Sequence, residues 1–143
     1  MSQTITKSAH ITWRGNLKEG KGVISTESGA LTEQPYGFNK RFTGEKGTNP
    51  EELIAAAHAS CFTMALSKIL GEAGHTAEQM DTQAKVVLSE KDGDFSISQI
   101  HLKIKAQIDQ LSKEEFQSFA EQAKEGCPVS KLFNAPISLE CSL

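Results

Sequence analysis

The chain carries no basic tail and no cationic stripe; its eighteen acidic and fifteen basic residues leave a net charge of −3 over 143 residues. That balance speaks against nucleic acid and anionic membrane as partners, since both are bound through clustered Lys and Arg. The opening MSQTITKSAH holds no apolar run of the signal-sequence kind. Cysteine is scarce and odd in number, three in all. This fits a cytoplasmic protein better than a disulfide scaffold, and it makes any disulfide a transient, chemical one. His10, His58, His75 and His101 show no recurring metal-ligand spacing. No glycine-rich stretch has the spacing of a phosphate cradle, and Ser28, Ser60 and Ser130 lack the strand-to-helix elbow of a serine hydrolase. Neither a metal nor a cofactor is expected. Internal repeats and low-complexity tracts are missing as well, and the length suits a single domain, residues 1–143, with one core.

What is present is organised around Asn49–Gly74, NPEELIAAAHASCFTMALSKILGEAG, which reads as one long apolar helix with a cysteine at its middle. Asn49 suits the N-cap, Pro50 the first helical position, and Glu52 the carboxylate position of a capping box. Gly71 or Gly74 supplies the stop. Leu53, Ile54, Cys61, Phe62, Met64, Leu66, Ile69 and Leu70, with the alanines between them, leave little polar surface, so burial on most sides is expected. Glu51, Glu52, His58 and Lys68 argue against a membrane span. The small residues Ala55–Ala57, Ala59 and Ser60 allow close approach of another backbone, including a second copy of this helix.

Around that helix the alternation of Ile5–Trp13 and Gly22–Thr26 predicts two strands, whereas Glu27–Thr48 loses periodicity and reads as a long loop bearing Tyr36, Phe38 and Phe42. Thr82–Glu90 and Phe95–Ile108 predict a hairpin turning at Lys91–Asp94. Ser112 and Glu115 form a second capping box, opening a helix through about Lys124 that Gly126 ends. Pro128 starts a short helix through about Phe133, and Ile137, Leu139, Cys141 and Leu143 share one face of a closing strand. The order predicts an α+β fold with strands in two antiparallel groups.

Two cysteines stand out chemically. Cys61 lies about three turns inside the helix, beyond the reach of the helix-end field, so a reactive Cys61 needs a cation; the plainer reading is a small core hydrophobe. Cys127, between Gly126 and Pro128, falls at the N-cap of the short helix, where free N–H groups favour a thiolate; otherwise it packs beneath a helix junction. Cys141 reads as core. His58 lies one turn before Cys61 on the same face, and Arg41 lies in the loop upstream.

Three segments, QPYGFNKRFTGEKGTNPEEL, AAAHASCFTMALS and KEGCPVSKLF, closely resemble the osmotically inducible protein C and organic hydroperoxide resistance family of thiol peroxidases, and the likeness runs through almost the whole chain. The long Gln34–Thr48 loop resembles the osmotically inducible branch. The resemblance implies that Cys61 is the peroxidatic cysteine, that Cys127 resolves it through an intramolecular disulfide, and that an Arg–Glu pair activates Cys61. By position the glutamate is Glu51 and the arginine Arg41, with Arg14 as its rival. It further implies organic hydroperoxides as substrates ahead of hydrogen peroxide, a role in oxidative and osmotic stress defence, and a dithiol reductant of the lipoyl-bearing kind. Phe38, Phe42 and Phe62 are the apolar side chains expected near the site.

Geometry adds a homodimer to these expectations. Glu51 and Cys61 are ten positions apart, about 15 Å along one straight helix and roughly 80° around it, so Glu51 does not reach the Cys61 of its own helix. Crossing two central helices antiparallel brings Glu51 and Arg41 of one chain to Cys61 of the other, and predicts an intertwined dimer with shared sites. Two other classes stay open at this point: a Cys–His hydrolase with His58 as base to Cys61, and a non-enzymatic dimeric binding protein that needs neither cysteine.

Overall fold

The computed structural model describes residues 3–42, 46–132, 136 and 138, in two compact units, Met1–Leu53 and Ile54–Leu143. The fold is α+β, with a three-stranded and a two-stranded antiparallel sheet and a long helix among these described residues.

In the first unit β1 (Ala9–Arg14) pairs with β2 (Lys21–Thr26), as the alternation predicts, and β2 pairs on its other edge with β3 (Gln34–Tyr36). The third strand and the 3₁₀ turn Asn39–Arg41 correct the expectation of an unbroken loop. Three residues containing a proline give no period to read, and Pro35 is tolerated because β3 is an edge strand. Trp13, Gly22 and Tyr36 stand in register across the sheet, with the two rings 5.5 Å apart. A Cβ at Gly22 would collide with both rings, so glycine is what lets them meet. The loop returns to the sheet where Thr48 N–H bonds Pro35 C=O at 3.0 Å.

Helix α1 (Pro50–Glu72) begins as its sequence prescribes, with Asn49 Oδ1 accepting from Glu52 N–H at 2.8 Å. The Glu52 carboxylate takes the Thr48 hydroxyl at 2.8 Å. By length and composition alone α1 passes for a membrane span. Its buried residues, however, are His58, Phe62, Leu66 and Leu70, a single stripe at four-residue spacing, while Met64 is 74 % exposed. The expectation of burial on most sides therefore fails within one chain, because only one side of the helix meets the sheet and helix of its unit.

That sheet is the hairpin of β4 (Gln79–Lys91) and β5 (Asp94–Gln107), closed by Asp92 and Gly93, both with positive φ as a two-residue primed turn requires. A bulge opposite Val87 and Leu88 shifts the register by one residue. Helix α2 (Lys113–Gly126) opens on the predicted capping box, with Ser112 Oγ accepting from Glu115 N–H at 3.1 Å. Phe62, Leu66 and Leu70 of α1, Ala123 and the fully buried Cys127 form the core, flanked by half-buried Met80, Leu102 and Ile104 of the sheet and Phe116 and Phe119 of α2. Thr63 and Thr82 hydroxyls, 2.6 Å apart, tie α1 to β4. Residues 128–131 form turns, with Lys131 N–H reaching Cys127 C=O and Leu132 N–H reaching Val129 C=O, and Leu132 is in 3₁₀ conformation, where a helix from Pro128 was expected. Phe133 and the closing strand through Ile137, Leu139, Cys141 and Leu143 lie outside the described residues.

Leu66 is wholly enclosed, so Leu66→Ala should lower the unfolding free energy by about 2–5 kcal/mol. Removing the α2 cap with Ser112→Ala should cost about 1 kcal/mol. Urea denaturation of the two variants checks both the order and the size.

Candidate active site

The second unit brings together two thiols that lie 66 positions apart in the sequence, Cys61 and Cys127. Both are free; Cys61 is half-buried on α1 and Cys127 is fully buried. The two side chains are hydrogen-bonded to each other. Cys127 is the C-cap residue of α2, where its own N–H closes the last turn on Ala123 C=O at 3.0 Å. Its sulfur also collects the backbone N–H groups of Val129 and Ser130 and the Ser130 hydroxyl. The segment after it is a stack of turns, yet the sulfur receives the N–H donors that the expected helix N-cap would have supplied.

The two thiols are driven in opposite directions. Burial pushes Cys61 up, the Val129 N–H opposes it, and the bond and negative charge of Cys127 push it up further. Burial also acts to raise Cys127, but the Ser130 N–H, the Cys61 thiol, the Ser130 hydroxyl and the Val129 N–H together outweigh it and bring Cys127 below an ordinary thiol. With the groups of this unit alone, Cys127 is the more acidic of the two thiols. A Cys61 thiolate therefore needs a cation from elsewhere, as its mid-helix position already indicates.

In the first unit Arg41 Nε and Glu51 Oε2 form an ion pair at 3.1 Å, with both side chains largely covered. The 3₁₀ turn carries Arg41, and the first turn of α1 carries Glu51. Arg41 also lines a recess of about 180 Å³ with Trp13, Leu17, Tyr36, Phe38 and Pro50. Arg14 lines a different groove, of about 730 Å³, with Thr12, Lys21 and Glu33. Of the two candidate arginines, it is Arg41 that engages Glu51. Phe38 and Phe42 pack on each other at 5.3 Å, whereas Phe62 is a core residue.

One partnership escaped the sequence reading. His58 Nε2 lies 2.9 Å from Ser130 Oγ. His58 Nε2 thus engages Ser130, and among the described residues no hydrogen bond joins His58 to Cys61. Ser130 carried a signal in its position three residues after Cys127, where an N-cap side chain finds its donor.

An α+β chain that holds two free cysteines in contact is, by its chemistry, a dithiol protein. The family model for OsmC-like proteins matches residues 43–142. The chain is 52 % identical over 140 residues to Peroxiredoxin OsmC of Escherichia coli K12, covering 98 % of each chain. It superposes on the crystal structure of the organic hydroperoxide resistance protein OhrB of Bacillus subtilis with a TM-score of 0.64 and 30 % identity, over 87 % of this chain and 89 % of the other. An OsmC-like protein of unknown function from Vibrio cholerae shares the fold with a TM-score of 0.71 at 17 % identity, over 90 % and 94 % of the two chains. The protein belongs to the OsmC-like family.

Because each thiol shifts the other, single substitutions should move the two in opposite directions. Cys127→Ala should lower the pKa of Cys61 by removing a negative neighbour, and Cys61→Ala should raise that of Cys127 by removing a donor. Iodoacetamide alkylation followed against pH by mass spectrometry reads both; shifts of the same sign would contradict the coupling.

Proposed function

We propose that Cys61 attacks and Cys127 resolves in a cysteine-based peroxidase that reduces organic hydroperoxides. The observation that carries this reading is the contact between the two thiols. The Cys61 thiolate attacks the O–O bond of the hydroperoxide, an alcohol leaves after taking a proton, and Cys61 is left as a sulfenic acid. Cys127 condenses with it, water leaves, and the disulfide is returned to two thiols by an external dithiol. A lipoyl-bearing protein is the reductant we propose, and the cytoplasm is the compartment in which such a dithiol cycle runs.

Activation of Cys61 is assigned to Arg41. Its guanidinium is a permanent cation with a fork of donors, able both to favour a thiolate and to orient a peroxide oxygen. Glu51 fixes one side of that fork at 3.1 Å. The aromatic recess around Arg41 supports alkyl hydroperoxides over hydrogen peroxide, since an alkyl chain gains from leaving water for Trp13, Tyr36 and Phe38.

The working unit we propose is a homodimer in which Arg41 and Glu51 of one chain serve Cys61 of the other. The exposed Met64 on α1 and the exposed Phe95 and Ile97 on β5 support it, because they are the kind of apolar surface that a second copy covers. The helical offset between Glu51 and Cys61 supports it as well.

Cys61→Ser should abolish consumption of cumene hydroperoxide. Cys127→Ser should allow one turnover and then stall; full multi-turnover activity of Cys127→Ser with dihydrolipoamide would remove the resolving role.

Sharing of the site is checked by exchanging subunits between inactive Cys61→Ser chains and inactive Arg41→Ala, Glu51→Ala chains. Recovered activity is expected, because one site of each mixed dimer then carries no defect. Mixtures that exchange but stay inactive would place each site within one chain.

A further inference from the structure

His58 is 6 % exposed and its Nδ1 is fully buried without a hydrogen-bond partner among the described residues. A buried imidazole with one nitrogen engaged and one idle is costly to keep, and the thiol–thiol contact does not require it. Its engaged nitrogen, Nε2, meets Ser130 Oγ at 2.9 Å, and that same hydroxyl bonds Cys127. The three groups make a chain, imidazole to hydroxyl to sulfur. A serine hydroxyl has one proton to donate, so the direction of the chain is coupled to the state of Cys127. When Cys127 is a thiol that donates to Ser130, Ser130 donates to a bare His58 Nε2; when Cys127 is a thiolate, Ser130 donates to it and accepts from His58 Nε2–H.

We propose that His58 and Ser130 are positioning residues for the resolving step, moving the Cys127 proton through the Ser130 hydroxyl to His58 Nε2 as the disulfide forms. The inference rests on the assignment of Cys127 as resolving thiol. In the step itself the Cys127 sulfur forms a bond to the Cys61 sulfur and the S–O bond of the sulfenic acid breaks. The Cys127 sulfur is oxidised, the Cys61 sulfur is reduced, and hydroxide departs. The proton lost by Cys127 passes to Ser130 Oγ while the Ser130 proton passes to His58. The departing hydroxide becomes water with a proton from solvent, and His58 returns its own to solvent, so the sum is one sulfenic acid plus one thiol giving one disulfide plus water.

The surroundings suit a neutral imidazole in this role. Burial holds His58 below an ordinary histidine, leaving Nε2 free to accept at neutral pH. His58 lines an open groove of about 330 Å³ with Ser98, Gln99, Ile100, Lys124 and Ser130. The segment of β5 in that lining is without a titratable group. From α2 the charged group is Lys124, paired with Glu121 at 2.8 Å, and past the end of α2 the titratable groups are Cys127 and Lys131. The open groove gives the proton a route to water.

The test measures sulfenic acid formation and its resolution separately in the full-length protein, using a single turnover with cumene hydroperoxide and dimedone trapping read by mass spectrometry. Ser130→Ala removes the bridge. His58→Gln keeps a hydrogen-bonding atom near Nε2 but has no basic nitrogen, and Ser130→Thr restores the hydroxyl. Expected is a fall of about tenfold or more in the ratio of resolution rate to formation rate for Ser130→Ala and His58→Gln, with recovery in Ser130→Thr. The pH profile separates this from a structural role: resolution should be flat near neutrality in the wild type and rise about tenfold per pH unit in both variants, where hydroxide must take the proton. Wild-type ratios and profiles in both variants overturn the proposal, and so does a change in Ser130→Ala without one in His58→Gln. Cys127→Ser measured alongside separates the two readings: if its sulfenic acid fails to accumulate, the resolving role is lost, whereas accumulation there with wild-type behaviour in the other variants defeats the relay alone.

Discussion

The structure depends most on how the end of α2 is seated over the middle of α1. Cys127 is fully enclosed, and a sulfur in that position that carries charge has lost its water. What replaces the water is a ring of donors, the N–H groups of Val129 and Ser130, the Ser130 hydroxyl and the Cys61 thiol. Phe62, Leu66 and Leu70 set the rotation of α1 by burying one stripe, and Ala123, fully buried one turn before Cys127, lets α2 end close to it. Each large apolar side chain so buried contributes roughly 1.5–3 kcal/mol, far more than the thiol–thiol bond itself. The core therefore holds the sulfurs together; the sulfurs do not hold the core.

That seating has a chemical consequence. Left to its own unit, the dithiol is polarised toward Cys127, since most of the donors converge there and Cys61 has only the Val129 N–H against burial and a negative neighbour. A peroxidase working through Cys61 must reverse this polarity for attack and use it for resolution. A guanidinium is suited to the first task because it stays charged at every physiological pH. In the proposed cycle the lowered pKa of Cys127 suits it to the second task, attack on a sulfenic acid at Cys61.

In the first unit a guanidinium is held in place. Trp13 and Tyr36 meet over Gly22, the loop is pinned back at Thr48, and Arg41 is turned toward Glu51. With a quarter of the arginine side chain still in contact with water, the ion pair adds at most about 1 kcal/mol to stability. Its value lies in orientation, and the aromatic recess beside it gives the same cation an apolar approach.

Local rules acting over a few residues were legible in the sequence: the Asn49–Pro50 start of α1, the Ser112–Glu115 cap of α2, the Asp92–Gly93 turn and the alternation of β1, β2, β4 and β5. So were Cys61 and Cys127 as the chemically notable thiols, the second through its place between Gly126 and Pro128. The edge strand β3 was not legible, because three residues with a proline carry no period. Nor was the burial of α1, whose apolar residues surround the helix while the stripe through His58, Phe62, Leu66 and Leu70 is what is fully buried. Composition sets how much apolar surface a helix has, whereas packing decides which of it meets a neighbour. The contact between Cys61 and Cys127, the pairing of Arg41 with Glu51 and the bridge from His58 through Ser130 to Cys127 belong to tertiary structure alone. Each joins residues from different elements, and no local propensity or spacing encodes which of two helix surfaces will meet.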